Sequence, residues 1–134
     1  MLAIIAACTI AATNLSPEQV VARTLWGEAR GESITGKVAV ASVIYNRAKS
    51  NPKKLKAVCL KRKQFSCWNG RTIKAGKGKA WQECLKIARE MLSGKFKPTI
   101  NADHYYNPKL CNPKWAWGHE VKMIGNHAFL KLRK

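Results

Sequence analysis

Carboxylates are scarce in this chain. Seven Asp and Glu residues stand against twenty-five Lys and Arg, giving a formal net charge of +18 over 134 residues. Other absences narrow the chemistry further. No stretch approaches the roughly 20 consecutive apolar residues of a membrane-spanning helix, so the expectation is a soluble globular domain. None of the five cysteines forms a C-x-x-C pair, and the three histidines share no metal-ligand spacing, so no metal is expected. A G-x-S-x-G elbow and a phosphate-cradling glycine loop are both missing, which removes esterase and nucleotide chemistry. No cofactor is expected either.

What remains is a single compact domain, long enough to bury a core without disulfides. The field of so basic a chain draws it toward polyanions, whether nucleic acid, anionic lipid or a bacterial envelope, and charge alone does not choose among them. Cys84 falls on the apolar face of a helical pattern and reads as core, whereas Cys59, Cys67 and Cys111 fall in loop-like sequence where one disulfide could form. Residues 1–15 are an apolar N-terminal segment with no early Lys or Arg, and only seven residues precede Cys8 in a run resembling a lipoprotein box. A helix packed on the body is expected there rather than a signal, with residues 16–134 forming the functional domain.

Ser16-Pro17-Glu18-Gln19 carries an N-cap, a proline at the first helical position and a glutamine three residues after the cap, predicting a helix to about Arg30. Within it Val21, Leu25 and Glu28 share one face. Glu28 therefore lies on the core-facing stripe, flanked by Gly27 and Gly31. A carboxyl in a partly apolar pocket keeps its proton to higher pH, which suits a general acid; the bland alternative is a helix-terminal ion pair with Arg30 or a nearby Lys. Glu32 reads as structural support, binding backbone amides at the start of the next helix. Of the other acids, Glu18, Glu83 and Glu90 read as solvated or capping groups on helices, and Asp103 and Glu120 lie among possible cleft loops.

Thr35 to Ala48 is apolar nearly all round and predicts the central helix. From Asn51-Pro52 to about Gly78 the sequence reads as loop or short irregular strand. Lys79 to Ser93 is an amphipathic helix closed by Gly94. Beyond Lys95 the chain is irregular and aromatic, and Trp68, Tyr105, Tyr106, Trp115 and Trp117 are rings suited to stacking on sugars or bases, or to core packing.

Six pieces in order then resemble one family: Trp26 to Glu32 (WGEARGE), Gly36 to Arg47 (GKVAVASVIYNR), Gln64 to Trp68 (QFSCW), Ala102 to Pro108 (ADHYYNP), Lys114 to Ala116 (KWA) and Ile124 to Phe129 (IGNHAF). The chain resembles the SleB/CwlJ-type cell wall hydrolases, which include spore-cortex lytic enzymes and some phage endolysins. The resemblance implies a mainly α fold (α+β with little strand) like lysozyme and the lytic transglycosylases, with peptidoglycan glycan strands as substrate. It implies Glu28 as the catalytic acid, and places Gln64, Ser66, Tyr105, Tyr106, Asn126 and His127 in motifs that would bind substrate. Lacking an evident wall-binding domain or signal, the chain is expected to be a monomeric phage-type lysin. Such a lysin waits in the host cytoplasm until release to the wall, its basic surface holding the anionic envelope. The expected cut is between N-acetylmuramic acid and N-acetylglucosamine, by a lytic transglycosylase because no second carboxylate stands out; the alternative is a muramidase using water. A nucleic-acid- or envelope-binding protein without catalysis is the rival from another class.

Overall fold

The computed structural model describes residues 14–61 and 73–133. The apolar N-terminal segment to Thr13, and with it Cys8, lies outside the described residues, as do Gln64, Ser66, Cys67 and Trp68.

Helix α1 spans Pro17–Ala29. Ser16 caps it as the sequence requires, its hydroxyl accepting the Gln19 N–H at 3.2 Å. The reciprocal half of a capping box is missing, because the Gln19 side chain instead accepts from Arg23 Nε at 3.0 Å. Helix α2 spans Ile34–Arg47 and is buried on nearly every side, as its apolar composition predicts. Ser33 caps it, accepting the Gly36 N–H at 3.2 Å.

The segment after Asn51 departs from the loop or strand expected of it. Lys49 and Ser50 turn the chain through left-handed backbone, with φ of 54° and 59°. A 3₁₀ turn over Pro52–Lys54 follows, and then a short helix, α3, over Leu55–Leu60. Lys56 within it and the flanking Lys53, Lys54 and Lys61 hide the pattern. Leu55 and Cys59, four residues apart, are both fully buried, and that i, i+4 pair is what holds α3 against the core. Cys59 is therefore a core thiol rather than a loop cysteine, and burial pushes its pKa up to about 12, opposed in part by a hydrogen bond with Thr24. Cys59 and Cys111 are both free, which removes either from the disulfide that loop-like sequence allowed.

Helix α4 spans Gly78–Ser93. It ends where Gly94 adopts a left-handed φ of 79°, the role a glycine at that position fills. Trp81, Cys84, Leu85, Ala88 and Met91 line its buried face as expected, joined by Ile87. Burial also pushes the Cys84 thiol up to about 11.

The irregular C-terminal third closes into a three-stranded antiparallel sheet in the order β1-β3-β2: β1 His104–Tyr106, β2 Lys122–Ile124 and β3 His127–Leu130. Tyr105 pairs with Phe129, and Met123 with Ala128. Gly125 and Asn126 make the two-residue turn between β2 and β3. The positive φ of 58° at Gly125 is what a type II′ hairpin demands of its first loop residue. The last turns of α2 rivet the lead-in to β1 onto the helical body: Thr99 N–H donates to Ser42 Oγ at 3.0 Å, and Asn46 Nδ2 to the carbonyls of Ile100 and Ala102 at 3.0 and 2.8 Å. Arg47 Nε adds a 2.6 Å bond to the Asp103 carbonyl. These bonds give the polar residues of an otherwise apolar helix their purpose, which is to deliver β1 to the end of α1. Among the described residues, no helix is long and apolar enough to cross a membrane.

Candidate active site

A cleft of about 550 Å³ opens where α1 ends. Its walls come from three places in the sequence: the turn from Gly27 to Glu32, Arg47 at the end of α2, and the sheet with its loops, contributing Tyr105, Tyr106, Trp115, Asn126 and His127. Each of the four candidate substrate-binding residues that the structure describes thus lies with Glu28.

Glu28 is half-buried. The Tyr105 hydroxyl donates to its Oε1 at 2.5 Å, joining α1 to β1 across 77 residues of sequence. The ion pair with Arg30 does not form; Arg30 turns back over the Trp26 ring at 5.6 Å. Trp26, first residue of the most diagnostic motif, belongs to the body rather than the cleft. Its ring meets Trp81 edge-on at 6.0 Å, and it packs so closely on Gly76 that a Cβ there would lie 2.5 Å from it.

Glu32 is support, as expected, but for a different partner. Its carboxylate accepts the Asn126 N–H at Oε1 and the Asn126 side-chain amide at Oε2, both at 2.9 Å. The backbone it grips is thus the β2–β3 turn, not the start of α2. His127 Nδ1, buried and without a hydrogen bond of its own, stands 3.4 Å from Oε1, close enough to form an ion pair when the ring is protonated. Burial alone would raise the Glu32 pKa, yet the two Asn126 hydrogen bonds and His127 outweigh it and hold the carboxyl below its ordinary value. Two glycines make room for it, since a Cβ on Gly125 would sit 2.4 Å from Oε1 and one on Gly36 would sit 2.9 Å from the Glu32 Cβ.

Asn126 therefore gives its backbone N–H and one side-chain N–H to Glu32, which leaves its second amide hydrogen and its Oδ1 outside that contact. The His127 ring meets Tyr105 edge-on at 5.0 Å, and Tyr105 packs on Phe129 at 5.7 Å. A continuous path results: Glu32 fixes the hairpin turn, the turn seats His127, and His127 with Phe129 holds the phenol that meets Glu28. At the other wall Tyr106 and His104 pack on Trp115, with centroids 5.8 and 5.5 Å away. Trp117 lies outside the cleft, with its indole N–H on Asn112 at 3.0 Å.

Neither Asp103 nor Glu120 lines the cleft. Asp103 is buried and accepts from His104 Nδ1, Leu132 N–H and Arg133 N–H at 2.8, 2.8 and 2.9 Å, so it ties the tail to β1. Burial opposes ionisation there too, but those bonds hold its pKa low. Glu120 is exposed at a separate depression of about 400 Å³ beside Lys122 and Lys131. Glu83, expected to be a solvated or capping group, instead faces the buried ammonium of Lys37 at 3.4 Å; the same ammonium donates to the Glu32 carbonyl.

Arg47 is a charged cleft residue that sequence reasoning did not single out. Burial and the nearby Arg133 lower its pKa, partly offset by Tyr105, Asp103 and Glu28. A charged residue closing an apolar helix was its available signal.

Residues 31–130 match the family model described as cell wall hydrolase. The chain belongs to the cell wall hydrolase family. The matched region takes in Glu32, Arg47, Tyr105, Asn126 and His127 and begins three residues after Glu28. Among similar curated proteins, the spore cortex-lytic enzyme of Oceanobacillus iheyensis is 34% identical over 84% of this chain and 41% of its own length. That of Bacillus subtilis is 31% identical over 83% of this chain and 36% of its own. The chain thus spans about four-tenths of the length of these family members. Two solved structures share the fold. The catalytic domain of the germination-specific lytic transglycosylase SleB from Bacillus anthracis is 32% identical, with a TM-score of 0.68 over 88% of this chain and 98% of that one. The Bacillus cereus SleB catalytic domain, also 32% identical, gives 0.64 over 86% and 89%. The mainly helical, lysozyme-like fold and the family expected from the six motifs are both borne out.

Proposed function

We propose that the chain cleaves peptidoglycan glycan strands between N-acetylmuramic acid and N-acetylglucosamine, as a lytic transglycosylase with Glu28 as acid and then base. One observation carries this reading: Glu28 meets the Tyr105 hydroxyl inside a cleft whose only other lining carboxylate among the described residues, Glu32, is committed to Asn126. The relatives' names, spore cortex-lytic enzyme and lytic transglycosylase, support it. The net charge of +18 supports the polyanionic bacterial envelope as the place of action.

With the phenol donating to Oε1, the other oxygen of Glu28 carries the proton to the glycosidic oxygen as an oxocarbenium-like centre develops. A glycosidase that adds water uses a second carboxylate, as nucleophile or as the base for that water. Glu32, with both of its oxygens hydrogen-bonded to Asn126, is poorly suited to either role. Glu28, now a carboxylate, instead takes the proton from the 6-hydroxyl of the same muramic acid. That oxygen bonds to C1, giving a 1,6-anhydro end and restoring the Glu28 carboxyl. Trp115 and Tyr106 offer apolar faces on which sugar rings can pack.

The test is turbidity clearing of purified peptidoglycan by a Glu28→Gln variant, with its folding checked by circular dichroism. Loss of clearing by a folded variant is expected. Wild-type clearing would overturn the assignment.

A further inference from the structure

The acids are unevenly placed as well as few. Between Glu32 and Glu83 lie fifty residues, 33 to 82, with thirteen Lys and Arg and no Asp or Glu. The fold gathers part of this stretch with the lysines that follow α4. Pro52 lies against the end of α4, its Cγ 3.9 Å from where a Cβ on Gly94 would stand. Lys49, Lys53 and Lys54 flank Pro52 in sequence and Lys95 and Lys97 follow Gly94, so the two adjoining segments carry five lysines, all exposed. None lines the cleft. On the adjoining elements Glu83 is occupied by Lys37, leaving Glu90 in the last turn of α4 as the nearby acid.

We propose that this face binds the phosphates of a linear, base-free phosphodiester polymer attached to the bacterial wall, holding the protein on its substrate. This rests on the reading that the chain acts at the wall. Lysine ammoniums are compact point charges that meet phosphates without demanding one geometry. Such a set suits a flexible polyanion with no fixed shape. A membrane surface fits less well, because the exposed large apolar residues among those described are Ile34, Leu110, Trp115, Trp117, Val121 and Met123, none of them on this face to insert into lipid. Nucleic acid fits less well for the same reason, since among the described residues no exposed ring stands there to stack on bases.

The experiment replaces Lys49, Lys53, Lys54, Lys95 and Lys97 together by Gln. Cosedimentation is measured with wall sacculi bearing a glycerol-phosphate polymer, with the same sacculi stripped of it, with phosphatidylglycerol vesicles and with a single-stranded oligonucleotide. The wild type should prefer the polymer-bearing sacculi. The variant should lose about tenfold or more of that binding, and the slope of log binding against log salt should fall by roughly 0.7 to 0.9 for each lysine that meets a phosphate. Its clearing of stripped sacculi should equal the wild type's, which also reports that it folds. Undiminished binding of the variant to polymer-bearing sacculi would overturn the proposal, and so would wild-type binding to vesicles or oligonucleotide as tight as to the polymer. A failure of the Glu28 assignment would appear separately, as clearing of stripped sacculi by Glu28→Gln.

Discussion

The cleft and the lysine face treat charge in opposite ways. In the cleft Glu28 meets Tyr105 and Glu32 meets Asn126 and His127, so each carboxylate is held by a partner from the sheet. On the face around Pro52, exposed lysines from the middle of a fifty-residue stretch without acid meet the lysines that follow α4. In a chain of seven acids, five are placed where they organise structure: Glu28, Glu32 and Asp103 at or behind the cleft, Glu83 beside buried Lys37, and Glu18 on Arg89. Scarcity of carboxylate therefore marks two things at once. Those that remain have specific work, and where none remains the surface is left strongly positive.

The largest effect that could break this contrast is on Glu28. Replacing it by Gln should cost about 10²- to 10⁴-fold in the rate of glycan cleavage, the usual worth of a positioned acid–base, measured by release of reducing or anhydro ends. Glu32→Gln should leave the chemical group in place but weaken its support, because an amide would face the Asn126 amide and His127. A loss of about 1–2 kcal/mol of stability at neutral pH is expected from urea unfolding. The pH dependence has a definite sign. Glu32 has a lowered pKa in the folded state, so its stabilisation is present above the unfolded value of about 4.3 and disappears as pH falls through the folded value. The gap between wild type and Glu32→Gln should close on acidification below about pH 4; a gap that is constant with pH would mean the carboxylate's charge does not matter. Tyr105→Phe, which removes the phenol's bond to Glu28, should slow cleavage roughly tenfold with little change in stability. Smallest of all should be the effect of the five lysine substitutions on clearing of stripped sacculi, within about twofold, since surface charges far from other features contribute little to stability.

The helical half was legible because its signals are local. Ser16, Pro17 and Gln19 mark the start of α1, Gly94 marks the end of α4, and apolar spacing predicts the buried faces of both. The resemblance carried by six motifs also named most of the cleft wall. What was not legible depends on long-range pairing. Leu55 and Cys59 make α3 a helix only because the core receives them, and the lysines around them look like loop. The sheet strands are three or four residues long, too short for an alternating pattern, and the lead-in to β1 is held by long-range bonds from Asn46 and Arg47. The same applies to Asn126. Its motif placed it at the cleft, but only the fold gives it Glu32 as partner.

The central claim is that one carboxyl, without a second free to activate water, cuts the glycan. Mass spectrometry of the fragments that wild-type protein releases from purified peptidoglycan tests it most directly. The account requires 1,6-anhydromuramic ends, fragments that have gained no water. Fragments ending in ordinary reducing muramic acid, each heavier by one water, would contradict it and would make Glu32, or a carboxylate outside the cleft described here, the missing partner of Glu28.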